Sequence, residues 1–182
     1  FGTEKYDLSQ NHRKLLGSSR MAKLSDFGLQ LRKKQAAKRM YWLTEKQFAS
    51  YYKKALKMSW VLWENMLMLL ELRLDNVVFK SNFARTSMQA RQFVNHAHFQ
   101  VNWQKVNIPS YLVKPGEIIS INQVKINKKI INDIRERIKA KEVPVWFSLD
   151  KQKLEAKVIS KPQLAQGEKQ IDLKSIIEFY SR

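Results

Sequence analysis

His96 and His98 are the only clustered histidines in this chain, which has no cysteine at all. An i, i+2 histidine pair at a helix end is a poor chelate without a third ligand, and neither a thiolate nor a nearby carboxylate supplies one. Hydrogen-bonding or cationic contact to a phosphate or a base suits the pair better, and His12 stands alone. The missing cysteines also remove a thiol nucleophile and a disulfide framework, which points to an intracellular protein. Gly2, Gly17, Gly28, Gly116 and Gly167 are scattered, so they build no phosphate-cradling loop. No serine sits in a nucleophile-elbow context. Asp75, two residues after Arg73, reads as a cap or an ion-pair partner rather than a catalytic carboxylate. The chain carries no sign of an enzyme, a metal site or a cofactor.

What remains is cationic. The 182 residues hold 34 Lys and Arg against 16 Asp and Glu, a formal charge of +18. Such a surplus repels itself unless it meets a polyanion, and nucleic acid is a better match than an anionic membrane. No apolar run reaches the roughly 18 residues of a spanning helix, and no unused apolar face opposes the basic one. Between Arg13 and Lys57 there are 13 basic and 2 acidic residues, so more than half of the surplus lies in about a quarter of the chain. From Phe83 to Gly116 there is no carboxylate, while Arg85, Arg91, Lys105 and Lys114 all fall inside that stretch. Lysine and arginine supply a salt-dependent phosphate attraction, and neighbouring Asn, Gln, Ser and Thr fix register. Folded RNA is read largely through shape and backbone, which favours two rigid basic surfaces over one recognition helix.

These side chains need elements to hold them. Residues 1–22 form a polar, basic arm; its start, FGTEKYDLSQ, has no apolar signal core and no initiator Met, and reads as trimmed. Ser25 and Asp26 offer N-cap oxygens to a helix running to about Met40. Thr44 and Gln47 make a capping box before Phe48, Tyr51, Tyr52, Ala55 and Leu56, which share one helical face. A third helix is expected from about Glu64 to Asp75. Thr86 and Gln89 make a second capping box, opening a short helix to about His96. Extended runs follow at Phe99–Asn102 and Lys105–Ile108, separated by an Asn102-Trp103 turn. A type I′ turn needs φ > 0 at both central positions, so glycine is the residue expected at 103. IISI at 118–121 reads as a strand and 122–142 as a basic amphipathic helix with isoleucine every four residues. VPVWFSL and KLEAKVIS alternate as strands, and IDLKSIIEFYSR is apolar enough to dock.

Several of these strings carry a resemblance. ELRLDNVVFKSNFARTSMQARQFVNHAHFQVNWQKVNIPSYLVKPGEIISI resembles the RNA-binding domain of small-subunit ribosomal protein four (the universal S-four family). KLSDFGLQLRKKQ, YWLTEKQFASYYKKA, VPVWFSLD and IIEFYSR resemble its flanking segments, so the likeness spans about Arg20 to Arg182. The module alone also occurs fused to RNA-modifying enzymes; the flanking segments are what single out the ribosomal family. The fold this implies is α+β: a basic helical domain, 23–71, interleaved with an RNA-binding module, 72–142, of short helices and a small twisted antiparallel sheet. The tail, 143–182, is expected to pack back on the helical domain. The implied function is primary binding of small-subunit rRNA at a junction in its 5′ domain, nucleating assembly on the ribosome. Small-subunit proteins three and five and mRNA are the further partners, in a cytoplasmic or organellar ribosome. By the same resemblance Arg20 and Lys23 lie near entering mRNA. Arg32, Lys33, Lys34, Lys38, Arg39, Arg73, Arg85, Thr86, Gln89, Arg91, His96, Asn102, Lys105, Asn107, Ser110, Tyr111 and Lys114 fall at rRNA contacts or their supports.

The chain departs from the family pattern in one systematic way. Trp42, Trp60, Trp63 and Trp103 stand where that pattern has glycine, as Ala97 does between the two histidines, whereas Trp146 matches a family tryptophan. Only 5 glycines are present, against about 13 at the average usage of roughly 7%. Some lineages read UGA as glycine, and translation of such codons as tryptophan accounts for the pattern. The competing reading is that the indoles are real and stack on RNA bases, as aromatic side chains do.

Overall fold

The structure, a computed structural model, describes residues 25–122, 126, 128–140, 144–162 and 172–181. Helix α1, Asp26–Met40, starts where Ser25 Oγ accepts the Gly28 amide. Helix α2, Glu45–Leu56, starts on the complete Thr44–Gln47 capping box and buries Phe48, Tyr51, Tyr52 and Ala55. Helix α3, Leu62–Glu71, lies against α2, and its Asn65 amide donates to the carbonyls of Ala55 and Trp60, closing the turn between them. The third helix does not run on to Asp75 as expected. At Arg73 the backbone turns extended, and the segment around it pairs with the 109–113 strap: Val113 donates to Leu72, and Leu74 to Tyr111. A separate helix α4, Leu74–Lys80, follows.

Helix α5, Ser87–Asn95, is capped by Thr86 Oγ1 accepting from the Gln89 amide. The second capping box is only half made, because the Gln89 carboxamide accepts from the Arg85 amide instead of reaching the cap residue. Strands β1 (Phe99–Val101), β2 (Gln104–Lys105), β3 (Ile118–Ile121), β4 (Phe147–Asp150) and β5 (Glu155–Val158) form one antiparallel sheet, ordered β2-β1-β3-β5-β4. Val101 faces Gln104 across the Asn102-Trp103 turn, and Ile119 lies between Val101 and Ala156. Helix α6, Lys128–Ala140, and helix α7, Leu173–Tyr180, complete the described elements.

The sequence reading of the tail needs correcting. Strand β5 pairs with β3 and β4 pairs with β5, so both join the module, burying Trp146, Phe147, Ala156 and Val158 in one core with Phe83, Phe99, Ile119, Ile134 and Ile138. Helix α7 returns to the helical domain, where Leu173 and Ile176 enter a second core with Phe48, Tyr52, Met66 and Leu70, and Lys161 lies over the Trp60 ring. The physical reason is the edge of β3: its unpaired backbone groups are satisfied by the nearest strand of matching register. Leu112, on the strap, touches both cores.

Candidate nucleic-acid interface

Four of the left-handed turns lie around the basic surface, and Leu154 makes a further one between β4 and β5. Helices α1 and α4 and helix α5 each end in a Schellman motif, with Trp42, Asn82 and Ala97 at positive φ of 51°, 62° and 55°. In the first, Leu43 N donates to Lys38 O and Trp42 N to Arg39 O, the paired bonds that define the motif. The fourth is the hairpin, where Asn102 and Trp103 have φ of 47° and 62°, the pattern of a type I′ turn. Trp60 and Trp63 have ordinary backbones, so among the four tryptophans the conformational argument for glycine covers Trp42 and Trp103, and it extends to Ala97.

The end of α1 faces α5 across an open groove of about 780 Å³, lined by Trp42, Arg85, Gln89, Arg91 and His96 among others, with no carboxylate in the lining. Its two guanidinium groups are held from the protein side. Arg85 Nη2 donates to Asp133 Oδ1 at 2.6 Å, and Arg137 grips the other oxygen of the same carboxylate while donating to the Phe83 carbonyl. Hydrogen bonding from Arg85, with the nearby charge of Arg137, lowers the Asp133 pKa and keeps it ionised. Arg91 Nη1 donates to the Trp42 carbonyl at 3.2 Å and lies 3.7 Å from Asp75 Oδ2. Each guanidinium therefore sits in a fixed place with donors left for a ligand. The exposed His96 ring stacks on His98 with centroids 5.9 Å apart, and His98 meets Phe93 edge-on.

Behind the groove lies a buried ionic cluster that joins the two cores. Arg73, 1% exposed, donates through Nε and Nη2 to both oxygens of Asp75 and through Nη1 to the Tyr51 hydroxyl at 2.7 Å. Burial works against the charged guanidinium, but the Asp75 hydrogen bonds raise its pKa. Glu71 accepts from the Tyr41 hydroxyl at 2.6 Å, the Asn76 amide at 2.8 Å and Lys80 at 2.8 Å. Asp75 is thus the ion-pair partner that its spacing from Arg73 suggests.

The sequence-predicted contacts divide accordingly. Arg73 and Lys34, at 1% and 6% exposed, cannot meet a phosphate and are corrected to internal supports. Lys34 Nζ donates to Glu45 at 2.7 Å and lies over the Phe179 and Tyr180 rings. Lys33 pairs with Asp172 at 2.8 Å and Lys38 with Glu45 at 3.3 Å. Those three lysines share the face of α1 turned to α7 and Glu45, because positions 33, 34 and 38 cluster on one side at 100° per residue. Arg32 and Arg39 lie on the opposite side and are exposed. Lys105, Asn107, Ser110 and Lys114 are exposed around the hairpin and the strap. Asn102 and Tyr111 already have internal partners: Asn102 Oδ1 accepts the Ile118 amide, and the Tyr111 hydroxyl donates to Glu117. Burial, then that carboxylate, raises the Tyr111 pKa. Thr86 is a helix cap. Arg20 and Lys23 lie outside the described residues. Asp133 and Arg137, which anchor Arg85, escaped the sequence reading although their i, i+4 spacing is a legible ion-pair signal.

The domains named S4 domain and Ribosomal protein S4/S9 N-terminal domain match residues 72–119 and 4–71. Small ribosomal subunit protein uS4 of Thermodesulfovibrio yellowstonii is 44% identical over 160 residues, covering 88% of this chain and 77% of that protein. The chain belongs to the uS4 family of small ribosomal subunit proteins. Its relatives in Chlorobium luteolum and Thermotoga petrophila are 40% and 42% identical, covering 91% and 90% of this chain and 82% and 78% of theirs. As a family member it is a structural protein of the ribosome and not an enzyme. The N-terminal match ends at residue 71 and the S4 domain begins at 72, where α3 gives way to the Arg73 cluster. Among the described residues there is no group of three His, Cys, Asp or Glu able to hold a metal ion. No helix among them is long and apolar enough to cross a membrane.

Proposed function

We propose that this uS4 chain is a primary binder of small-subunit rRNA, docking both basic surfaces on a multi-helix junction in the 5′ domain and so nucleating assembly. The observation that carries this reading is the groove between α1 and α5, where Asp133 and Asp75 hold Arg85 and Arg91 from behind and the open side has no carboxylate. Two fixed guanidiniums facing solvent at the seam of two rigid units match a backbone whose strands approach each other, as at a junction. Arg32 and Arg39 on one unit, with Lys105 and Lys114 on the other, extend the phosphate contacts outward. Arg20 and Lys23 face entering mRNA, with small-subunit proteins three and five as neighbours; the family resemblance supports this part. The test is binding to a 5′-domain rRNA fragment over a salt series. The double variant Arg85→Ala/Arg91→Ala should weaken binding and flatten the slope of log K against log salt by roughly 0.7–0.9 per phosphate lost. An unchanged slope overturns the assignment of the groove. In assembled subunits, mRNA should cross-link near Lys23, and failure to do so removes that placement.

A further inference from the structure

We propose that the groove beside α5 receives one unstacked nucleotide of the RNA, its phosphates held by Arg85 and Arg91 and its base edge read by Gln92 and Asn95. This rests on the RNA-binding reading and names what that site takes. Helix α5 buries Ala90, Phe93 and Val94. Its outer face presents Met88, Gln92, Asn95 and His96 at i, i+4, i+7 and i+8, and all four line the groove. The carboxamides of Gln92 and Asn95 are exposed and make no hydrogen bond among the described residues. Gln89, Asn65, Asn76 and Asn102 each satisfy a backbone or carboxylate partner; Gln104 and Asn107 are also exposed and unpartnered, but only Gln92 and Asn95 among such carboxamides line the groove with Arg85 and Arg91.

A carboxamide donates and accepts side by side, the pattern that matches a base edge. Two neighbouring unpartnered carboxamides in one groove with two anchored guanidiniums therefore call for a ligand with an anionic part and a donor-acceptor edge. Both belong to a nucleotide. Concavity selects which kind. A-form duplex hides base edges in a deep, narrow major groove and offers a shallow minor groove, so it has nothing that protrudes into a cavity. An extruded nucleotide does. The open side lets the flanking RNA backbone enter and leave, so the nucleotide belongs to a chain rather than arriving free.

The test uses the full chain and five RNA hairpins of one stem sequence, one fully paired and four carrying a single bulged nucleotide with each base in turn. The expected result is binding about tenfold or more tighter to at least one bulged hairpin than to the paired one. In Gln92→Ala/Asn95→Ala that preference should disappear, while the salt slope stays that of the parent chain. No preference in the parent chain overturns the proposal, and so does a preference that survives the double variant. Failure to bind any hairpin or small-subunit rRNA would instead sink the RNA-binding reading beneath it. Both positions are exposed, and unchanged circular dichroism with retained binding to the paired hairpin separates lost reading from lost folding.

Discussion

Trp103→Gly should stabilise this protein, against the usual direction for loss of a tryptophan. Trp103 is 70% exposed and occupies the second central position of a type I′ turn at φ 62°, so its indole buries little while its backbone is held left-handed. That conformation costs an L-residue about 1–2 kcal/mol, and glycine gives back about 0.5–1 kcal/mol as extra freedom of the unfolded chain. The net gain is about 0.5–1 kcal/mol. Trp42, 52% exposed at φ 51°, repeats the arithmetic in a Schellman motif, and the two sites lie in separate turns with no shared partner and should add. A chain of this size gains roughly 2–4 °C in Tm per kcal/mol, so the double variant should melt about 3–6 °C higher by calorimetry. Trp63→Gly is the opposing control. It lies in the first turn of α3, packed against the helical core, where glycine loses the indole's contacts and about 0.5 kcal/mol of helix propensity relative to tryptophan. If Trp103→Gly lowers Tm, or if positions 42, 63 and 103 all respond with one sign, the strain argument is wrong. The same logic bears on the native polypeptide. Tandem mass spectrometry of the peptide spanning residues 92–105 should read glycine at 103 if UGA is decoded as glycine, and tryptophan there would end the recoding explanation.

Arg73→Ala leaves buried Asp75 with only the more distant Arg91 beside it, at a cost of about 3 kcal/mol, the low end for breaking a buried pair, and should lower the urea midpoint more than any surface-arginine variant. Thr86→Ala removes the α5 cap for about 1 kcal/mol, but should leave the salt slope of RNA binding unchanged because Thr86 positions the helix rather than touching phosphate. Asp172 is held down to about 2 from 3.8 by hydrogen bonds from Lys33 and then Ser175. A depressed folded pKa gives stability that is complete above the unfolded value and lost as pH falls through the folded one, so the increment should vanish between about pH 4 and pH 2. Both partners are about half exposed, which discounts it to under about 1 kcal/mol. An acid titration of Lys33→Met against the parent chain, followed by NMR at residues 173–180, should show the difference only above that window.

The sequence by itself determined the local elements. The Ser25 and Thr44 caps and the Phe48-Tyr51-Tyr52-Ala55 face were legible because each depends on residues within a turn or two of one another. So were the Asn102 turn and the pairing of Arg73 with Asp75, two residues apart. It also determined the class of partner, since a charge of +18 has few other uses. The tertiary structure decided what no spacing carries. Helix α3 stops at Glu71 because a strap almost forty residues later takes over the backbone hydrogen bonds of Leu72 and Leu74. Strands β4 and β5 join the module because β3 has an open edge in the right register. Above all, the structure sorted cations that look alike on paper. Lys34 and Lys38 meet Glu45, and Arg73 vanishes between two cores, while Arg32 and Arg39 are left to solvent and Arg85 and Arg91 are aimed into a groove. Charge is a property of the residue, but whether it is available to RNA depends on which carboxylates and carbonyls the fold brings within about 3 Å.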